Sequence, residues 1–315
     1  MRYRPLGNSG LVVSVVGLGC NNFGQRLDAE RTRGVVDAAI DAGVTLLDTS
    51  DTYGGRGKSE ELLGEVLKGR RDQVVLATKF GSQGADMGYG PAAGAKGGRA
   101  YIRRAVEHSL RRLRTEYIDL YQIHTPDPVT PIEETLTALT ELVQAGMVRY
   151  IGHSNFSGLQ TVRAAVAARD LAAVPFISAQ NHWSLLERAA ESDVVPAAIE
   201  YGLGVLPFFP LANGLLAGKI RRGVPPADGT RLSGRDDYIT EEKLDRVESL
   251  ARWAEERDRS LLEVAIGGLA ALPGCTSVIA GATSPAQVRA NAAAGEWQPS
   301  AEDLAEIDKI VPALN

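Results

Sequence analysis

The chain has 315 residues, 44% of them hydrophobic and 23% charged, with a net charge of −5. This balance suits a soluble globular protein and excludes the basic footprint of a nucleic-acid binder, and no run reaches the roughly 20 apolar residues of a membrane span. Cys20 and Cys275 form neither a disulfide framework nor a zinc pattern and read as buried thiols, and the N-terminus lacks a signal-peptide core, so the expected compartment is the cytoplasm.

In chain order, the first 13 residues predict a hairpin turning at Gly7-Asn8-Ser9-Gly10. Eight short β-rich runs follow: Val15–Cys20, Val44–Ser50, Val74–Phe80, Ile118–His124, Tyr150–Asn155, Phe176–Asn181, Gly204–Pro210 and Ser277–Ala280. Helical patterns separate them. Glu30–Ala42 ends before Gly43, and Ser59–Lys68 carries an apolar stripe of Leu62, Leu63, Val66 and Leu67 before Gly69. Arg99–Leu113, Pro131–Ala145, Ser157–Arg169, Glu187–Tyr201 and Ser284–Ala294 follow the same plan. Glu241–Glu256, Ser260–Leu272 and Ser300–Ile310 are extra helices. Two long loops stand out: the Gly-rich Gly81–Gly98, expected to be mobile, and Arg221–Tyr238, rich in Gly, Pro and charge.

The strands are continuous apolar runs rather than alternations, as in parallel sheets covered by helices on both faces. Strand-then-helix units repeated eight times predict a single α/β domain over residues 1–315: a (β/α)8 TIM barrel with an N-terminal hairpin cover and extra C-terminal helices. The rival, an open doubly wound sheet, lacks its fingerprint, because Gly17-Leu-Gly-Cys-Asn-Asn22 has no third glycine.

Barrel enzymes build their sites at the C-terminal ends of the strands. Asp48, Lys79 and His124 stand at three such ends, and Tyr53 follows Asp48 by one short turn. A phenol with an ordinary pKa of about 10 is a poor acid at neutral pH, and a neighbouring ammonium is expected to lower it. A carboxylate would hold that ammonium in place, and a histidine could polarise a carbonyl oxygen.

Three segments bear a close resemblance to the aldo-keto reductase family, in the long-loop branch that includes bacterial reductases and potassium-channel β subunits. They are Gly43-Val-Thr-Leu-Leu-Asp-Thr-Ser-Asp-Thr-Tyr-Gly54 with Ser59-Glu-Glu-Leu-Leu-Gly64, Leu113-Arg-Thr-Glu-Tyr-Ile-Asp-Leu-Tyr-Gln-Ile-His-Thr-Pro-Asp127, and Gly146-Met-Val-Arg-Tyr-Ile-Gly-His-Ser-Asn-Phe156. The resemblance implies an oxidoreductase that reduces an aldehyde or ketone with NADPH, using Asp48, Tyr53, Lys79 and His124, with Tyr53 as general acid. It implies further that Ser154, Asn155 and Gln180 grip the nicotinamide amide and that Phe208, with Phe209 after it, stacks on the ring. Leu211, Asn213, Leu215, Lys219 and Arg231 would face the phosphates. Gly281, Thr283, Gln287 and Asn291 would hold the adenosine end. Many relatives carry Lys or Arg in this last motif, where Gly281-Ala-Thr283 stands here, and a Glu at the place of Ala290, which leaves NADH open beside NADPH.

Two rival readings remain at this stage: a cofactor-binding redox sensor with little turnover, and a metal-dependent barrel hydrolase using Asp48 and His124. The expected partner is a small carbonyl compound, with neither nucleic acid nor membrane involved; the sequence leaves the oligomeric state open, a homo-oligomer included.

Overall fold

A computed structural model describes residues 1–313 except 221, 225 and 227–230. An antiparallel hairpin, β1 (Tyr3–Pro5) and β2 (Val12–Ser14), opens the chain. Eight parallel strands follow: β3 (Val16–Gly19), β4 (Leu46–Asp48), β5 (Val75–Phe80), β6 (Ile118–Ile123), β7 (Val148–Ser154), β8 (Ser178–Gln180), β9 (Gly204–Val205) and β10 (Val278–Gly281). They hydrogen-bond in the order β10-β3-β4-β5-β6-β7-β8-β9. Parallel bridges Val205–Cys275 and Phe208–Ile279 join the two ends and close the sheet into a (β/α)8 barrel.

Helices α1 (Ala29–Asp41), α2 (Lys58–Val66), α3 (Arg99–Leu113), α4 (Ile132–Gln144), α5 (Gly158–Asp170) and α6 (Val194–Glu200) cover the outside. Their starts follow from local chemistry. The Asp28 carboxylate caps α1 by accepting from the Arg31 N–H, and Ser157 with Gln160 forms a reciprocal capping box on α5. The extra helices α7 (Glu241–Glu255), α8 (Leu261–Glu263) and α9 (Leu269–Ala271) precede β10, and α10 (Pro285–Ala294) and α11 (Ala301–Ile310) follow it.

Two predicted helices are corrected. Glu187–Tyr201 is helical only from Val194, after a 3₁₀ turn at Ala189–Ser192. The preceding chain is pinned elsewhere: Ser184 Oγ accepts the N–H groups of Leu186 and Glu187, and Arg188 reaches Glu191, Asp308 and the Val311 carbonyl. Ser260–Leu272 is interrupted by a π turn at Val264–Gly268, where Gly267 lets the backbone pass Trp297. The Gly81–Gly98 loop has a polar centre of its own. The Lys96 ammonium donates to the carbonyls of Ser82, Gln83 and Ala85 and gathers the loop around itself. The Arg221–Tyr238 loop lies in part outside the described residues.

Side chains alternate across each strand, so positions two apart share a face. Leu46, Ala77 and Leu120 form one interior layer with Leu206 and Ile279. The hairpin's Leu6 and Val13, both fully buried, seal that layer from below. At Gly7 the φ of +57 and the close approach of the Gly202 carbonyl demand glycine. Two residues beyond the apolar layer, at the strand ends, the inward positions become Asp48, Lys79 and Gln122. Both cysteines are buried and unpaired. No helix among the described residues is long and apolar enough to cross a membrane.

Candidate active site

The interior polar layer is an ion pair held by amides. Lys79 Nζ donates to Asp48 Oδ2 at 2.6 Å, to the Thr49 carbonyl at 2.9 Å and to Tyr53 Oη at 3.3 Å. Asp48 Oδ1 in turn accepts from Gln180 Nε2 at 2.9 Å and from Gln122 Nε2 at 3.2 Å. Gln122 lies beside Lys79 in the strand register, opposite Gly152, where any β-carbon would collide with Ser178 Oγ. Sequence reasoning missed Gln122. The signal was an amide two residues before His124, on the same face of the strand.

Burial opposes charge on Lys79, but Asp48 and Tyr53 outweigh it and hold the ammonium above its ordinary range. Tyr53 departs from the sequence expectation. Burial raises its pKa, and although Lys79 pulls it down, the net shift is upward. The sequence reading counted the neighbouring charge and had no measure of the desolvation. The phenol therefore keeps its proton at neutral pH.

His124 faces Tyr53 edge-on, with ring centroids 6.0 Å apart. Burial, then the Lys79 charge, lowers it to about 3, so the imidazole is neutral. Its Nδ1 lies 3.2 Å from Ser50 Oγ. Asn155, at a φ of 59, donates to the His124 carbonyl, and Ser154 Oγ donates to the Gln180 carbonyl. The three resemblance-derived residues Ser154, Asn155 and Gln180 thus share one hydrogen-bonded rim with His124.

A cavity of about 1070 Å³ opens over this rim. It runs past Phe208, Phe209, Leu211, Asn213 and Lys219 to Arg231, Gly281, Thr283, Gln287 and Asn291. Leu215 does not reach it: the side chain is fully buried in a separate core with Leu185, Leu250 and Val264. Phe208 stacks on His182, centroids 5.5 Å apart and planes at 9°. Thr283 donates its N–H and hydroxyl to Gln287 Oε1, which fixes the start of α10. Arg26 and Arg31 also line the cavity and were missed in the sequence. Among the described lining residues, four cationic side chains, Arg26, Arg31, Lys219 and Arg231, thus border the space. Asp48, already held by Lys79, is the one carboxylate among its described lining residues. Arg231 is lowered by burial and then by the like charge of Arg26. Such a donor set fits a polyanionic dinucleotide with an aromatic wall for its flat end. Among the described residues, no group of three or more His, Cys, Asp or Glu is placed to hold a metal.

The chain matches the aldo/keto reductase family over residues 15–312. It belongs to that family. Similar proteins include an uncharacterized oxidoreductase, YrpG, of Bacillus subtilis, 37% identical over 99% of this chain and 96% of its own length. A probable voltage-gated potassium channel subunit beta of Oryza sativa is 35% identical over 92% of this chain and 90% of that protein. An L-glyceraldehyde 3-phosphate reductase of Escherichia coli is 33% identical over 99% of this chain and 92% of that protein. As an aldo/keto reductase family member with relatives of this kind, the chain is an oxidoreductase.

Proposed function

We propose that this protein reduces an aldehyde or ketone to an alcohol with NADPH, Tyr53 being the general acid. The observation that carries the reading is the contact of Tyr53 Oη with the buried Lys79 ammonium, itself anchored on Asp48. The cofactor, when bound, supplies a hydride to the carbonyl carbon. Ser154, Asn155 and Gln180 would hold its amide, Phe208 its ring, and Lys219, Arg231, Thr283, Gln287 and Asn291 its remainder.

The chain's own part is proton control. Tyr53 stays neutral until negative charge develops on the carbonyl oxygen, then donates its proton there. The Lys79 ammonium lies next to the phenolate so formed and stabilises it. Asp48 keeps Lys79 charged and in place, and the two glutamines keep Asp48 from turning away. His124, neutral and beside Tyr53, is placed to hold the carbonyl oxygen. We read residues 1–315 as one catalytic unit acting in the cytoplasm on a small carbonyl compound.

The test is oxidation of NADPH in the presence of an aldehyde panel, for the wild type and Tyr53→Phe. Turnover lost in the variant while cofactor binding by protein fluorescence persists is the expected result. Binding without turnover in the wild type across the panel would instead favour a redox sensor, a reading that the potassium-channel relative makes worth testing.

A further inference from the structure

Ser50 sits between two groups whose protonation matters. Its Oγ is 3.2 Å from His124 Nδ1, 3.3 Å from Asp51 Oδ1 and 3.0 Å from Thr52 Oγ1. A serine hydroxyl donates one proton and accepts at its lone pairs. The direction of that proton decides whether His124 Nδ1 must donate or accept.

Asp51 is fully buried, and its Oδ2 has no hydrogen-bond partner among the described residues. The groups around it come from five places: Glu60 on α2, Arg112 and Tyr101 on α3, Tyr89 in the loop before α3, Lys79 on β5, and Tyr121 on β6. Glu60 is itself held by Arg112 at 2.6 Å and by the Thr78 hydroxyl at 2.6 Å. Burial, then the Glu60 charge, raises Asp51 to about 7, against the pull of Arg112, Ser50 and Lys79. The carboxyl can therefore change state within the neutral range.

We propose that Asp51, acting through the Ser50 hydroxyl, selects the tautomer of His124 and is thereby a positioning residue for the group that meets the carbonyl oxygen. The catalytic meaning of this rests on the role given to His124 above. With Asp51 ionised, its carboxylate accepts a hydrogen bond from the Ser50 hydroxyl. Ser50 Oγ then accepts from His124 Nδ1–H, and Nε2 is left as a bare lone pair. With Asp51 protonated, it donates to Ser50 and Ser50 donates to Nδ1. The ring proton then resides on Nε2, which can donate to a carbonyl oxygen. The imidazole is neutral in both states. The one proton gained from solvent is the one on Asp51; the ring only exchanges which nitrogen carries its own. The donor form of His124 therefore grows as pH falls through the range where Asp51 titrates.

Nitrogen NMR on protein labelled at its four histidines reads the tautomer directly, with the His124 signals assigned by their loss in His124→Asn. Between about pH 5.5 and 8.5 the wild type is expected to pass from the Nε2–H to the Nδ1–H form. Asp51→Asn and Ser50→Ala should both abolish that passage. For carbonyl reduction, kcat should fall roughly tenfold or more across the same interval in the wild type, with a smaller change in KM, and be flat in Asp51→Asn. A packing defect would lower kcat at every pH without removing the step. A wild-type His124 that keeps one tautomer throughout, or an unchanged passage in both variants, overturns the proposal. A tautomer passage in a protein that reduces no carbonyl would uphold the relay and defeat the functional reading, so the two failures are distinct.

Discussion

Asp48 and Lys79 face each other at 2.6 Å in the barrel interior, the amine wholly shielded from solvent. A buried ion pair gives little net stability, yet removing one partner strands the other at a cost of about 3–5 kcal/mol. Lys79→Met is therefore expected to lower both thermal stability and kcat, the latter by roughly a hundredfold or more. The double change Asp48→Asn with Lys79→Met should recover most of the stability and none of the activity. Calorimetry and steady-state kinetics on the three proteins check this; activity returning with stability would remove Lys79 from the proton chemistry.

Phe208 separates ring stacking from the rest of cofactor binding. Truncating a stacked aromatic forfeits about 0.5–1.5 kcal/mol beyond the lost area, so Phe208→Ala should weaken NADPH binding roughly tenfold. Phe208→Tyr should bind nearly as the wild type. Quenching of protein fluorescence on titration reads the affinity without turnover, and equal affinity in Phe208→Ala would take the ring off the cofactor wall.

Gly64 lies inside α2, where alanine is ordinarily the better helix former by about 1 kcal/mol. Here a β-carbon would fall 2.4 Å from the Arg112 carbonyl oxygen and 2.7 Å from the Leu113 backbone. Backbone cannot yield as a flexible side chain can. Gly64→Ala should therefore destabilise the protein by about 1–3 kcal/mol, against its propensity gain. Chemical denaturation measures the sign, and a stabilised variant would show that α2 and α3 can move apart cheaply.

Asp51 makes a stability prediction independent of catalysis. Its folded-state pKa of about 7 exceeds the ordinary carboxylate value of about 4. Between those limits the native state binds more protons than the unfolded one, so this residue's contribution falls as pH rises. Asp51→Asn removes the ionisation. Relative to the wild type, the variant should gain stability from about pH 4 to about pH 7, by an amount on the order of 1–4 kcal/mol. Thermal melts at both ends of that interval test it. A difference independent of pH would mean that Asp51 ionises as freely in the folded chain as outside it.

The strand ends were readable because a polar residue in an apolar run is conspicuous. Asp48, Lys79 and His124 each stand within one residue of a strand's end, and the barrel assigns those ends to one rim. What the sequence withheld were quantities of burial. The competition between desolvation and Lys79 at Tyr53 needs a solvent boundary, and pattern alone gives none. Arg26 and Arg31 look like any surface arginine until α1 is set beside the cavity. Leu215 follows Asn213 by two residues, but the irregular turn with Asn213 at φ 57 and Gly214 at φ 114 sends its side chain inward. The late start of α6 came from contacts of Arg188 with residues more than a hundred positions away, which no local periodicity records.

The hairpin that seals the barrel beneath Leu46, Ala77 and Leu120 leaves a vessel with a floor. Water therefore has no wet path to the Asp48–Lys79 pair from beneath, since Leu6, Val13, Leu46, Ala77 and Leu120 are all fully buried. A stopper of a few residues at the opposite pole thus helps keep dry the ion pair on which the chemistry depends.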